Sequence, residues 1–370
     1  MERLKHQLRQ VVWDQLNLEA SKQHVLVRSV LTGASWVFEC ISSQKREWQS
    51  ARKQALPIPT ISFGNVTWGG TGKTPCLHHV ARFLHARGFN LMLVSRGYGD
   101  DEWKMFEAEF PGSLLAIGKH RYANAMACLT AENKAQTIAL VDDGLQQWRL
   151  KKDLEIVMVD AYNPFGNGHL IPKGRLREYP NQALPSADVI VLHHARHLTP
   201  AKRMQLVSTV QSMAKSGAIV AQTHVRLTDL PLARDVTSVL HNRKHNLVNP
   251  ATSYWPVEDD VAVIGVCGIG CPESFQDMLQ HSFPRQCVHM HVFPDHHAFT
   301  GADMTAIAES VARLRQAHAN VMVVTTEKDF FRSPDLLQAH IKDLRVALCN
   351  MEFLDGEAAL AARLDQLVRD

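Results

Sequence analysis

No apolar run in the 370-residue sequence approaches the roughly 18 residues that a membrane-spanning helix needs, which argues against a span of that kind. Charge of one sign is scarce as well. A formal net charge of +3 is too small to point to nucleic acid as a partner. The seven cysteines are scattered, mostly inside apolar runs, which suits a reducing compartment and argues against a disulfide framework. Cys267 and Cys271 lack a second pair at zinc-finger spacing and read as core or loop thiols. Repeats and low-complexity tracts are missing. No secretory apolar region follows the first residues, and Glu2, Asp14 and Glu19 count against a transit peptide.

What is present is the composition of an ordinary soluble enzyme, 45% hydrophobic and 21% charged, long enough for two domains. Residues 1–54 carry nine Lys/Arg against five acids, so the basic surplus lies there. Within them Val27, Val30, Leu31, Ala34, Val37, Phe38 and Ile41 form one helical stripe with basic flanks. Such a stripe suits either a membrane interface or the protein's own core. From Pro57 onward short apolar runs alternate with helical patterns, the rhythm of a doubly wound, mainly parallel α/β sheet. Strands are expected at 59–63, 91–95, 137–141, 154–159, 189–193 and 218–223. A polar boundary follows at 226–258, then strands at 261–266, 288–293, 321–325 and 344–349 with helices near 273–281, 301–317 and 356–368. The expected organisation is a basic helical region (1–54), a core domain (55–230) and a smaller α/β domain (255–370).

The stretch from Gly64 to Thr74 joins an apolar strand to a helix in which Leu77, Val80, Ala81 and Leu84 share one face. That is the setting of a phosphate-binding loop. Backbone N–H groups across Gly69, Gly70, Thr71 and Gly72 would cradle a polyphosphate, Lys73 would reach its terminal phosphates and the Thr74 hydroxyl would hold Mg²⁺. The strict pattern wants glycine where Thr67 stands. Asp142 and Asp143 close a buried strand, from which a carboxylate can face a ligand crevice and hold the metal; the alternative is a cap on the next turn. Arg96 also ends a strand and suits phosphate geometry. The acids Asp100, Asp101 and Glu102 that follow could accept a proton, although such triplets are commonly solvated loops. Residues 166–178 are rich in glycine and base, with Lys173, Arg175 and Arg177 suited to an anionic substrate. The run 289–297 holds four histidines, which can be read as a metal cluster or as an acid/base pair with Asp295 orienting His296. Thr326-Glu327-Lys328-Asp329 lacks the spacer of a guanine-reading motif.

Six ordered motifs, G-N-x-T-x-G-G-x-G-K-T-P (64–75), S-R-G-Y-G (95–99), D-D-G-x-Q (142–146), G-N-x-x-x-x-P-x-G-x-L-R-E (166–178), D-H-H (295–297) and T-E-K-D (326–329), resemble the tetraacyldisaccharide 4′-kinases, the lipid A 4′-kinase family, over about residues 25–355. The wording of 153–159 and 163–169 is similar to plant and algal members. The resemblance implies a P-loop fold and an ATP-dependent phosphorylation of the 4′-hydroxyl of a lipid A disaccharide 1-phosphate. It implies peripheral membrane association through a helix near the N-terminus, and a catalytic Asp–His pair. The matching residues here are Asp101 and His296, with Asp100 replacing a glycine before the pair's acid. Joined to the residue reading, this expects ATP phosphates on Thr67 and on Gly69 to Thr74, with Mg²⁺ on Thr74 and Asp142 or Asp143. Lys73 and Asp101 act on the chemistry, and Arg96, Arg121, Arg177 and Glu178 shape the acceptor site. A plant-like member would belong to a mitochondrion, a bacterial one to the cytoplasmic face of the inner membrane. The competing readings are a metal-dependent phosphoesterase built on the histidine-rich run, and a P-loop NTPase that does not act on lipid.

Overall fold

The computed structural model describes residues 25–97, 101–242 and 260–369. Asp100 and residues 243–258 of the polar 226–258 stretch therefore lie outside the described residues. Eleven strands form one sheet in the order β3-β2-β4-β1-β5-β6-β7-β11-β10-β8-β9. The ranges are β1 Thr60–Asn65, β2 Asn90–Ser95, β3 Leu114–Ile117, β4 Thr137–Asp142, β5 Leu154–Asp160, β6 Val189–His193, β7 Ile219–Asp229, β8 Val261–Cys267, β9 Cys287–Val292, β10 Asn320–Thr326 and β11 Arg345–Asp355. Neighbours pair in parallel except β7 and β11. Strands β1, β4 and β5 are buried along their whole length, as near-continuous apolar runs covered on both faces should be.

Strands β7 and β11 run further than their apolar starts suggest. The first residues of β7 pair with β6, and 223–229 then pair antiparallel with 348–353 of β11, whose own start pairs with β10. This two-stranded ribbon joins two half-sheets and leaves the C-terminal ends of both facing one gap. Connections leaving β1 and β5 run to opposite sides, so a crevice opens beside β1, where open α/β sheets bind ligands.

The halves interlock. Helix Lys73–His85 buries Leu77, Val80, Ala81 and Leu84 in the first half's core, beside Leu360, Leu364 and Leu367 of the helix Glu357–Leu367. That second helix falls within the 255–370 unit expected from sequence. Helix Asp101–Glu109 places Phe106 in the first core and Met105 in the second. In the long helix Val25–Ser50 the apolar stripe divides. Phe38 packs on the core, whereas Val30, Trp36, Val37, Ile41 and Trp48 are exposed. The Ser35 hydroxyl donates to the Leu170 carbonyl at 2.8 Å and accepts from the Lys173 amide at 3.1 Å, fixing the helix against the 166–178 loop.

Candidate active site

The loop after β1 takes its shape from two glycines with positive φ, Gly69 at +119° and Gly72 at +81°. Gly72 is needed twice over, because a Cβ there would fall 2.2 Å from the His193 ring. Gly72 also caps helix Lys73–His85 without any side-chain cap, which leaves the amides of the first turn for an anion. Asn65 braces the loop, donating to the Thr71 hydroxyl at 3.0 Å. Thr67, in the position where the strict motif has glycine, is buried and bridged to Leu176, so extended backbone replaces a turn there. Trp68 N–H to the Arg175 carbonyl (2.7 Å) and Arg177 N–H to the Val66 carbonyl (2.8 Å) zip the phosphate loop to the 166–178 loop.

Thr74 and Asp142 line one small cleft with Ser95 and Glu102. Burial, and then the Glu102 charge, push the Asp142 carboxyl up to about 7. Glu102 is paired with Lys328, whereas Asp142 is a buried carboxyl beside the Glu102 charge; a Mg²⁺ held by Thr74 and Asp142 would offset that repulsion, and the donor set is all hard oxygen. Asp143 faces elsewhere, with its backbone at φ +50°. Its carboxylate takes a two-pronged ion pair from Arg177, Lys73 Nζ lies 3.8 Å away, and Arg121 donates to its carbonyl at 2.9 Å. Despite burial, the Lys73 and Arg177 charges hold its carboxyl well below the usual range. Of the two expected metal carboxylates, Asp142 lines the cleft with Thr74, while Asp143 is paired with Arg177 and lies 3.8 Å from Lys73. Asp142→Asn is expected to raise the Mg²⁺ concentration for half-maximal rate by about tenfold or more; an unchanged titration would place the metal elsewhere.

Asp101 is fully buried in the first turn of its helix, not on a solvated loop. Arg332 donates to its Oδ2 through Nη2 (2.5 Å) and Nε (3.1 Å), and His296 Nδ1 lies 3.7 Å from the same oxygen. Asp101 and His296, expected as a pair from distant parts of the chain, therefore lie close together. His296 has a left-handed backbone at φ +59°, a strained conformation for a non-glycine residue. Burial raises the Asp101 pKa against the pull of Lys328 and Arg332, while burial and Lys328 lower that of His296.

Two residues outside the expected site hold this arrangement. Lys328 Nζ sits 3.1 Å from Glu102 and 3.5 Å from His296 Nε2. Arg332 bridges Asp101 and Asp329, and Asp329 in turn accepts from the Gly268 amide at 2.9 Å. Lys328 lay in a visible motif; Arg332 has no signal beyond its place one turn after Asp329.

The remaining expected residues fall around this centre. Arg96 is exposed beside the crevice. Glu178 accepts from Gln146 at 3.0 Å and pairs with Arg46 of the long helix at 3.3 Å, linking that helix to the site. The histidine-rich run disperses: His289 meets Cys287, His291 meets Ser310, and His297 meets Asp303 while stacking on Phe293. Among the described residues these histidines do not gather into a group that could hold a metal ion.

A family model described as Tetraacyldisaccharide-1-P 4'-kinase matches residues 27–369. An Arabidopsis thaliana protein named probable tetraacyldisaccharide 4'-kinase, mitochondrial, is 29% identical over 95% of this chain and 92% of its own length. The tetraacyldisaccharide 4'-kinase of Anaeromyxobacter sp. (strain K) is 33% identical, covering 83% of this chain and 81% of its own. Among solved structures, LpxK from Aquifex aeolicus in complex with ATP is similar in fold, with a TM-score of 0.64 at 19% identity, over 92% of this chain and 99% of that one. The phosphate loop, the paired Asp101 and His296, and a family match over nearly the whole described chain agree, and the chain belongs to the tetraacyldisaccharide-1-P 4'-kinase family.

Proposed function

We propose that this protein transfers the γ-phosphoryl group of ATP to the 4′-hydroxyl of a tetraacyldisaccharide 1-phosphate, giving the bis-phosphorylated product lipid IVA. The observation that carries the reading is the approach of His296, from the second half, to within 3.7 Å of buried Asp101 beside the phosphate loop. Gly69 to Thr74 bind the ATP phosphates and Lys73 stabilises charge on the transferred group. Mg²⁺ on Thr74 and Asp142 neutralises phosphate charge when bound. Asp101 accepts the 4′-hydroxyl proton, with neutral His296 beside it to share the proton. Arg96, Arg121, Arg177 and Glu178 hold the acceptor. Residues 55–230 and 255–370 act as two lobes, and a base completed only when they meet limits idle ATP hydrolysis. Transfer of ³²P from [γ-³²P]ATP to tetraacyldisaccharide 1-phosphate in mixed micelles tests the reading. Labelled lipid is expected; ATP binding with no labelled lipid would refute the acceptor.

The exposed side chains Val30, Trp36, Val37, Ile41 and Trp48 support peripheral association of the long helix with a membrane surface, where the acyl chains of the acceptor lie. A mitochondrial membrane accords with the name of the Arabidopsis relative and with the plant-like wording of the motifs. Trp36→Glu with Ile41→Glu leaves the Ser35 and Arg46 contacts in place and removes about 1.5–3 kcal/mol of apolar burial per residue. Vesicle binding is expected to fall by at least about tenfold. Undiminished sedimentation with vesicles would place the anchor elsewhere.

A further inference from the structure

Outside the kinase centre, the gap between the two halves holds a second set of buried groups that phosphoryl transfer does not use. Asp160 ends β5, His194 follows β6 and Cys271 ends the loop after β8, as the N-cap of helix Pro272–Ser282. All three are buried, and one ligand atom from each lies within 4.8 Å of the others. His194 Nδ1 is 2.9 Å from an Asp160 oxygen. The residue sits at φ +62°, a left-handed conformation that costs energy in a non-glycine residue and is commonly retained where a site requires it. The surroundings continue the same chemistry. Asp277 of the second half accepts from Tyr162 at 2.5 Å and pairs with His197 at 3.0 Å.

We propose that Asp160, His194 and Cys271 form a binding site for a borderline-soft divalent metal of the zinc class, distinct from the Mg²⁺ position at Thr74 and Asp142. A sulfur, an imidazole nitrogen and one carboxylate oxygen are the donor types of three-ligand zinc sites, with a fourth position left to water. Mg²⁺, which demands oxygen donors in an octahedron, does not suit this set. On binding, the metal–sulfur bond forms as the Cys271 thiol proton passes to solvent. Positive charge already reaches the cluster from Arg175, which interacts electrostatically with Asp160 and Cys271. A metal must compete with that guanidinium, so Arg175→Gln is expected to tighten binding. Position gives the site its consequence. Gly270 is packed so closely on the phosphate loop that a Cβ there would fall 2.3 Å from the Gly70 amide. A metal on Cys271 would therefore tie the second half's loop to the ends of β5 and β6, directly over the phosphate loop.

Titrating the full-length protein with Co²⁺, in excess Mg²⁺ to fill the oxygen site, tests this. A thiolate-to-cobalt charge-transfer band is expected, saturating near one ion per chain and erased by Zn²⁺. The band should vanish in Cys271→Ser, persist in Cys267→Ser, and require at least about tenfold more metal in Asp160→Asn or His194→Gln. No band in the wild type, or a band that survives Cys271→Ser, overturns the site. Should Cys271→Ser fail to fold, X-ray absorption of zinc-loaded wild type decides instead. A sulfur at about 2.3 Å is expected, and a shell of nitrogen and oxygen alone refutes the proposal.

Discussion

Replacing Lys73 by alanine is expected to lower the rate of phosphoryl transfer by about 10²–10³-fold, the loss that follows removal of one preorganised charge from a developing phosphoryl group. The expectation that the effect falls on turnover rests on how the lysine is held. Lys73 is the first residue of its helix, directly after Gly72, and the Asp143 carboxylate 3.8 Å away keeps its ammonium at the mouth of the loop. Asp143 is itself anchored by Arg177, so the lysine is aimed by a chain of charges and not by loop packing. Initial rates of lipid labelling at saturating ATP measure the loss. Near-normal rates in a folded Lys73→Ala protein would refute the phosphate-loop assignment. Asp143→Ala, which removes the aim and leaves the charge, should cost less than Lys73→Ala.

Asp101→Asn should reduce kcat by about 10²–10⁴-fold while leaving ATP binding intact, as expected for loss of a general base. The substitution keeps shape and leaves Arg332 paired with Asp329. The pH profile adds a second readout. Burial raises the Asp101 pKa above its ordinary 3.8, and the reaction needs the ionised form. The wild-type rate should therefore fall as pH drops through a value higher than that of an ordinary aspartate. The residual rate of Asp101→Asn should lack this limb. Burial and then the Lys328 charge lower the His296 pKa, which favours the neutral imidazole. His296→Ala with unchanged transfer and unchanged ATP hydrolysis would remove it from the mechanism.

The phosphate loop could be read directly from sequence because its requirements are local: an apolar strand, glycines where φ is positive, and a helix with one apolar face. The strands of the buried sheet were legible for the same reason, since each is a short run of apolar residues. Strand β3 escaped because four residues at a sheet edge leave too little pattern. The second halves of β7 and β11 escaped because they are polar and half-exposed, and each becomes a strand only by pairing with residues more than 100 positions away. Asp101 reads as a solvated acid from its neighbours alone. Its burial depends on Arg332, which lies 231 residues on and on a different helix. Thr67 broke the motif for a tertiary reason too, its pairing with Leu176.

The helix Glu357–Leu367 lends three leucines to the core built around the phosphate-loop helix, although the second half of the sheet separates the two in sequence. Chains emerge from the ribosome in order, and early segments generally fold first. Here the earlier-made half cannot close its hydrophobic centre until residues 357–367 have been synthesised. The nascent chain must leave part of that core uncovered while β8 to β11 are still being added. Such a chain has long-range contacts to wait for before that core is complete.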